Sequence, residues 1–217
     1  MAIDKSHTKP WMKAVIIFIA LTFVIGIGFT GAIGACTSTT PTGTTTPAGT
    51  SASSTQTIDA IGLQYTPVIQ ALEASITADP KNYDLLVKQA QNYYQWGAQI
   101  RQAVQTVNPG QDEPIWKAAA TYYARALAVK PGDATVVGDL AVSQFYSSDT
   151  TSAIVTGEQA RTIDPKFGPN LFNLGIFYQT AGDTAKAKGA YEAYLAVSPT
   201  GDMAQAAKDN LAALAKP

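Results

Sequence analysis

The sequence predicts an all-α fold: a helix-turn-helix solenoid of about three repeats with capping helices, preceded by one transmembrane or signal helix and a disordered Thr/Ser-rich linker. Three observations support this prediction. Apolar residues beyond position 58 recur at helical spacing, and no strand pattern is evident. Pro131, Pro165 and Pro199 are evenly spaced along the chain, and each ends an apolar run. Residues 37–57 are mostly Thr and Ser without charge, a composition that cannot bury a core.

The N-terminal part of the chain has the pattern of a membrane-inserted segment. Residues 1–13 form a basic region with Lys5, Lys9 and Lys13, and residues 14–35 are apolar and uncharged. A helix over 14–35 would be about 33 Å long, enough to cross a hydrocarbon core of roughly 30 Å. The positive-inside bias predicts a cytoplasmic N-terminus and a domain on the extracytoplasmic side, either periplasmic or at the cell surface.

Cys36, the only cysteine, leaves two interpretations of this segment open. The apolar run is longer than that of a cleaved secretory signal, which favours a retained transmembrane signal-anchor. In contrast, Ile33-Gly34-Ala35-Cys36 resembles the lipobox of bacterial lipoproteins, which implies a chain that starts at a lipidated Cys36. Both interpretations tether the protein to the membrane. We expect residues 36–57 to be a flexible linker that spans roughly 25 Å.

Residues 58–217 repeat themselves with the period set by these prolines, about 34 residues. Ala119 corresponds to Ala153 and Ala187, and Leu140 corresponds to Leu174. The last unit has the most regular spacing, formed by Leu171, Leu174, Gly175, Tyr178, Ala187, Tyr191 and Pro199. This period and spacing resemble those of the tetratricopeptide repeat (TPR) family. The resemblance implies that Gly175 and Ala187 lie where two helices cross closely, beside Tyr178 and Tyr191.

The repeat pattern divides residues 58–217 into five segments. They are a capping helix over 58–80, a repeat with an insertion over 82–131, repeats over 133–165 and 167–199, and a C-terminal capping helix over 201–215. End repeats need caps because they would otherwise expose apolar faces. Asp112 and Glu113 are adjacent in the insertion. We expect them to cap the helix that Pro114 opens rather than to form a catalytic carboxylate pair.

The resemblance also implies a binding surface, because the first helices of TPR pairs line a concave groove that takes a protein or peptide. Val87 and Gln91 stand where chaperone-binding relatives have Lys and Asn to clamp a C-terminal carboxylate, so we do not expect that type of adaptor. For Phe145 and Phe172, packing against neighbouring helices is the alternative. The candidate groove residues are Val87, Gln91, Tyr94, Val142, Phe145, Tyr146, Phe172, Ile176 and Gln179.

Composition excludes several classes of function. The net charge of -1 provides no basic surface for nucleic acid. The only histidine is His7, so residues 58–217 lack both His and Cys and the metal sites and nucleophile pairs built on them. We predict no catalytic residues, metal, cofactor or small-molecule substrate. The expected function is a non-catalytic scaffold in recruitment or assembly of bacterial envelope complexes. The alternative is a permanent structural subunit packed through its transmembrane helix.

Overall fold

The computed structural model describes residues 49–104 and 110–215, with side chains from Thr57 onward. These residues form helices and no strand, which confirms the all-α prediction. The predicted segments 1–13 and 14–35, the start of 36–57 and Cys36 lie outside the described residues. Among the described helices, none combines the length and apolar character needed to span a bilayer. The helices are α1 (Gly49–Ala78), α2 (Tyr83–Ala103), α3 (Glu113–Val129), α4 (Ala134–Tyr146), α5 (Thr150–Ile163), α6 (Gly168–Thr180), α7 (Thr184–Val197) and α8 (Ala204–Leu214).

Helix α1 begins at Gly49, inside the stretch assigned to the linker. Once later turns are fixed by packing, each further residue adds a hydrogen bond at little cost, so Ala, Ser and Gln residues can extend the helix toward the N-terminus. Pro67 lies within α1, and the Thr66 hydroxyl donates to the Gly62 carbonyl at 2.8 Å beside it. The buried face of α1 consists of Ile61, Ile69, Leu72 and Ile76.

Side-chain caps and prolines set the ends of the repeat helices. Asp183 caps α7, and its side chain accepts from the Lys186 backbone N–H at 3.0 Å. Asn82, Asp133 and Asp149 cap α2, α4 and α5 in the same way. The C-caps of α3, α5 and α7 immediately precede Pro131, Pro165 and Pro199. Proline disfavours continuation of a helix, so the period of these prolines marks the ends of the second helices.

Helices pack in consecutive pairs, α2 with α3, α4 with α5, and α6 with α7. In the last pair, a Cβ built on Gly175 would lie 2.6 Å from Cδ1 of Tyr191, so only glycine allows this crossing distance. Ala187 and Tyr191 are both fully buried at this crossing. This is the close contact that the resemblance implied.

The core continues from α3 to α8, where the solenoid ends. Ala204 and Ala207 of α8 are buried against it, and Met203, Leu211 and Leu214 are partly buried. The Tyr194 hydroxyl accepts from the Met203 backbone N–H at 3.2 Å, which joins α7 to the start of α8. Helix α8 therefore covers the apolar face that α7 would otherwise expose.

Candidate functional site

The first helices of the pairs, α2, α4 and α6, form a concave face. Besides the contacts between consecutive helices, α2 contacts α4 and α4 contacts α6. The second helices α3, α5 and α7 make no comparable contacts with one another in the described part of the chain. The helix array therefore curves toward the first helices, and a partner can contact all three of them at once.

The structure places the predicted groove residues at different depths. Gln91 and Gln179 are exposed, and Val87, Tyr94, Phe145, Tyr146 and Ile176 are partly buried. Val142 and Phe172 are only 6% and 8% exposed and belong to the core. Phe172 packs on the rings of Tyr191 and Tyr194, with centroids 5.6 Å away in both cases. Phe172 therefore packs against the neighbouring helix, which is the alternative considered for this residue, and is not a groove residue.

A row of aromatic rings connects the helices beneath this face. Tyr94 of α2 meets Trp116 of α3 edge-on at 5.2 Å, and Trp116 lies 4.7 Å from Tyr146 of α4. Phe145, beside Tyr146, lies 4.8 Å from Phe177 of α6. We call Tyr94, Trp116, Tyr146, Phe145 and Phe177 the aromatic row. Its members fix the first helices relative to one another through directional ring contacts.

Asp112 does not cap α3 with its side chain, which corrects the expectation for the insertion. Asp112 is 2% exposed, and its Oδ2 accepts from Trp116 Nε1 at 2.8 Å and from Arg101 Nε at 2.7 Å. The Arg101 guanidinium also lies 4.2 Å from the ring centroid of Tyr146. A buried carboxylate needs such partners, and this demand outweighs the weaker N-cap bond. The adjacent Glu113 pairs with Lys117 on the surface.

Asp139 of α4 is a feature of the concave face that the sequence analysis missed. It precedes Val142 by three residues and Tyr146 by seven, so the three share one side of the helix. The Tyr123 hydroxyl donates to Asp139 Oδ2 at 3.3 Å. Burial, with a smaller contribution from the charge of Asp133, raises the pKa of Asp139 to about 6. The helical offset from the two predicted groove residues was the available signal.

The tyrosines around Asp139 stay protonated over a wide pH range. Burial raises the pKa of Tyr94 to about 12, and the negative charge of Asp139 adds to this effect. Burial also raises the pKa of Tyr123 far above its ordinary value, again with a contribution from Asp139. Both hydroxyls can therefore donate hydrogen bonds at neutral pH, to Asp139 or to a bound group.

A second concavity, with a volume of about 390 Å³, lies on the side of the second helices. It is mainly apolar and lies between the end of α3 and the end of α5, where Ile163 is 44% exposed. Its lining residues are Leu127, Pro131, Gly132, Val137, Gln159, Thr162 and Ile163. No charged side chain is among these lining residues, in contrast to the concave face with Asp139.

Several solved structures of TPR proteins are similar to this chain. The crystal structure of MamA has a TM-score of 0.57 at 19% identity and covers 69% of this chain and 76% of that chain. A tetratricopeptide repeat protein from Parabacteroides merdae has a TM-score of 0.55 at 16% identity, with 75% of this chain and 57% of that chain covered. TTC0263, a thermophilic TPR protein in Thermus thermophilus, has a TM-score of 0.53 at 14% identity, with coverages of 73% and 76%.

These similarities establish the fold of the repeat domain as a TPR-like solenoid. No protein-family model matches the sequence, and no curated protein matches it. Sequence identities this low support the shared fold, but they do not show which partner the protein binds or which process it serves. Function must therefore be argued from the concave face itself.

Proposed function

We propose that this protein is a membrane-tethered, extracytoplasmic scaffold that binds a protein partner on the concave face of α2, α4 and α6, without catalysis of its own. The observation that carries this proposal is the set of side chains on these three helices, which includes the exposed Gln91 and Gln179 and the partly buried Tyr94, Tyr146 and Ile176. Aromatic rings with amide hydrogen-bonding groups are typical of surfaces that bind extended peptides or helices.

The tether belongs to the same proposal. Residues 14–35 carry no charge and follow three lysines, which supports an N-terminus in the cytoplasm and a repeat domain outside it. A tether of either type, a retained helix or a lipidated Cys36, keeps the binding face close to envelope proteins. Recruitment or assembly of an envelope complex is therefore the process we propose.

Site-specific photocrosslinking in cells tests the binding face. A photoreactive amino acid at the exposed Gln91 should give a discrete crosslinked product, whereas the same group at the exposed Ile163, on the outer side, should not. The two positions have comparable access to solvent but lie on opposite sides of the helix array. Products from Ile163 alone would contradict the proposed face.

Intact-mass measurement of the membrane-extracted protein tests the tether. A full-length mass indicates a retained anchor, and a chain that starts at an acylated Cys36 indicates a lipoprotein. Cys36→Ser should block processing in the second case and leave the mass otherwise unchanged in the first. A soluble form without residues 1–57 and without lipid would refute tethering altogether.

The structural-subunit alternative predicts a different behaviour in mild detergent. A permanent subunit packed through residues 14–35 should migrate with its partners at fixed stoichiometry. A recruiting scaffold should migrate mostly alone, because its partner exchanges. Blue-native electrophoresis after extraction separates these two outcomes.

A further inference from the structure

Asp139 is the single charged residue in α4 and α6, the central and third helices of the concave face. It is partly buried and lies on the side of α4 that also carries Val142 and Tyr146. Any partner that lies across the three first helices must therefore pass this carboxylate. The electrostatic character of the middle of the face depends on it.

The contacts of Asp139 leave much of its hydrogen-bonding capacity unused. Its hydrogen bond from Tyr123 is long, at 3.3 Å, whereas an ionised carboxylate offers about four lone-pair sites. The ion pairs among the described residues are Arg101–Asp112, Lys117–Glu113, Arg161–Glu158 and Lys186–Asp183, and none of them includes Asp139. Arg101, the cation stacked on Tyr146, is already held by Asp112.

The fold does not require a negative charge at this position. An amide oxygen could accept the same bond from Tyr123, and burial together with the nearby Asp133 disfavours the ionised form of Asp139. A charged group that is desolvated in a cleft without a cationic partner is a candidate for function. A cation is the group whose charge would favour the ionised form of Asp139.

We infer that Asp139 is the anchor for one Lys or Arg side chain of the partner segment bound on the concave face. The neighbouring Tyr94 hydroxyl supplies a polar group that can accompany such a cation. This inference rests on the proposed function and specifies the partner chemistry of the same face. The face then selects a cationic side chain, whereas a carboxylate clamp selects an anionic chain end.

Peptide selection on the full-length protein in nanodiscs tests the inference. The probe is a phage-displayed library of random peptides, selected on the wild-type protein. We expect the selected peptides to share one Lys or Arg at a fixed position. We expect their affinity to fall at least about tenfold in Asp139→Asn, as for the loss of one partner of a buried charge pair. Asp139→Lys should reverse the selection toward Asp or Glu at that position.

Two controls separate the charge of Asp139 from other effects. Asp202→Asn removes the same charge from an exposed residue and should leave affinity unchanged. Gln91→Trp obstructs the face without a change in charge and should weaken every peptide that binds there. Circular dichroism of each variant establishes that it is folded before binding is measured.

The outcomes distinguish the inference from the proposed function. Peptides that Gln91→Trp weakens, but that share no basic position or bind Asp139→Asn equally well, would overturn the cation anchor and leave the binding face intact. If no peptide is enriched, or if Gln91→Trp has no effect on those that are, the proposed face fails and the anchor fails with it.

Discussion

Gly175 and Gly189 are both helical glycines, but their surroundings differ. A Cβ on Gly175 would enter the ring of the buried Tyr191, whereas a Cβ on Gly189 would meet no atom within 4 Å beyond its neighbours and its own helix backbone. We expect Gly175→Ala to lower the free energy of unfolding by about 2 kcal/mol through overpacking. Gly189→Ala should raise it by up to about 1 kcal/mol, because alanine has the higher helix propensity. Urea denaturation followed by circular dichroism measures the free energy of unfolding of both variants. If both values changed in the same direction, this explanation would be wrong.

The charge on Asp139 should make stability depend on pH. Because burial raises its pKa in the folded state to about 6 from an ordinary value of 3.8, the unfolded chain loses this proton first as pH rises. Its contribution to stability is therefore present below the ordinary pKa and is lost as pH rises through the folded pKa of about 6. At pH 7.5, Asp139→Asn should raise the free energy of unfolding by about 1–2 kcal/mol, a value reduced because the carboxyl is partly exposed.

The matched measurement for Asp139→Asn is the same denaturation experiment at pH 4. There the wild-type side chain is largely protonated when folded, so the difference between the two proteins should nearly vanish. An equal gain at both pH values would show that packing, and not charge, causes the effect. Together with the loss of peptide affinity, a stability gain at neutral pH would identify Asp139 as a residue that serves binding rather than folding.

Single residues show where sequence reasoning succeeds and where it stops. The resemblance to the TPR family placed Gly175 and Ala187 at a close helix crossing with Tyr191 beside them, because such a crossing demands small residues. Val142 and Phe172 could not be separated from exposed groove residues, because a first helix turns adjacent residues toward both the partner and the next helix. Asp139 was missed because no carboxylate occurs at the corresponding position of the other repeats. Its position three residues before Val142 was the sequence signal that places it on the same side of α4.

At the scale of elements, the insertion is held by its buried carboxylate. Asp112→Ala would leave the Trp116 N–H buried without an acceptor and would release Arg101. We expect a loss of about 2–3 kcal/mol in the free energy of unfolding, from the desolvated donor and the lost charged hydrogen bonds. Glu113→Ala removes the neighbouring carboxylate, whose ion pair with Lys117 is on the surface, and should change stability by no more than about 0.5 kcal/mol.

Thermal or urea denaturation of this pair of variants isolates the effect of burial, because the two carboxylates are consecutive in the chain. Similar losses in both would mean that helix-end electrostatics dominate instead.

The insertion also marks a limit of the sequence analysis at this scale. The repeat period does not predict this contact, because Trp116 corresponds to Thr150 and Thr184 in the later repeats and Arg101 lies in the inserted stretch. Only the three-dimensional contacts bring them to Asp112.

At the scale of the whole repeat domain, contacts are mainly between consecutive helices. Stability in such an array is local, because each repeat is supported by its own pairs and its nearest neighbours. We therefore expect Gly175→Ala to reduce amide-exchange protection most in α6, α7 and α8 and least in α1 and α2. Hydrogen exchange read by mass spectrometry resolves this gradient. A uniform loss of protection across the domain would instead indicate global two-state unfolding.

The period of Pro131, Pro165 and Pro199 predicted the order of the helices and the ends of the second helices, because proline is strongly disfavoured in helix interiors. It could not predict that α1 starts at Gly49, since nothing in that composition marks a first turn. It also could not predict which side of each first helix faces a partner. That depends on the curvature of the array, which arises from contacts between residues far apart in the chain.

The neighbour-only contacts of these helices also bear on how the gene can change. A duplicated copy of residues 166–199, inserted after Pro199, would offer α8 the α7 surface that it already meets, and would place a second α6 on α7 in the way that α6 packs on α5. One recombination event could thus lengthen the concave face by a whole unit with interfaces of kinds that are already present. The length of the concave face is in that sense a heritable variable, adjustable in steps of one repeat.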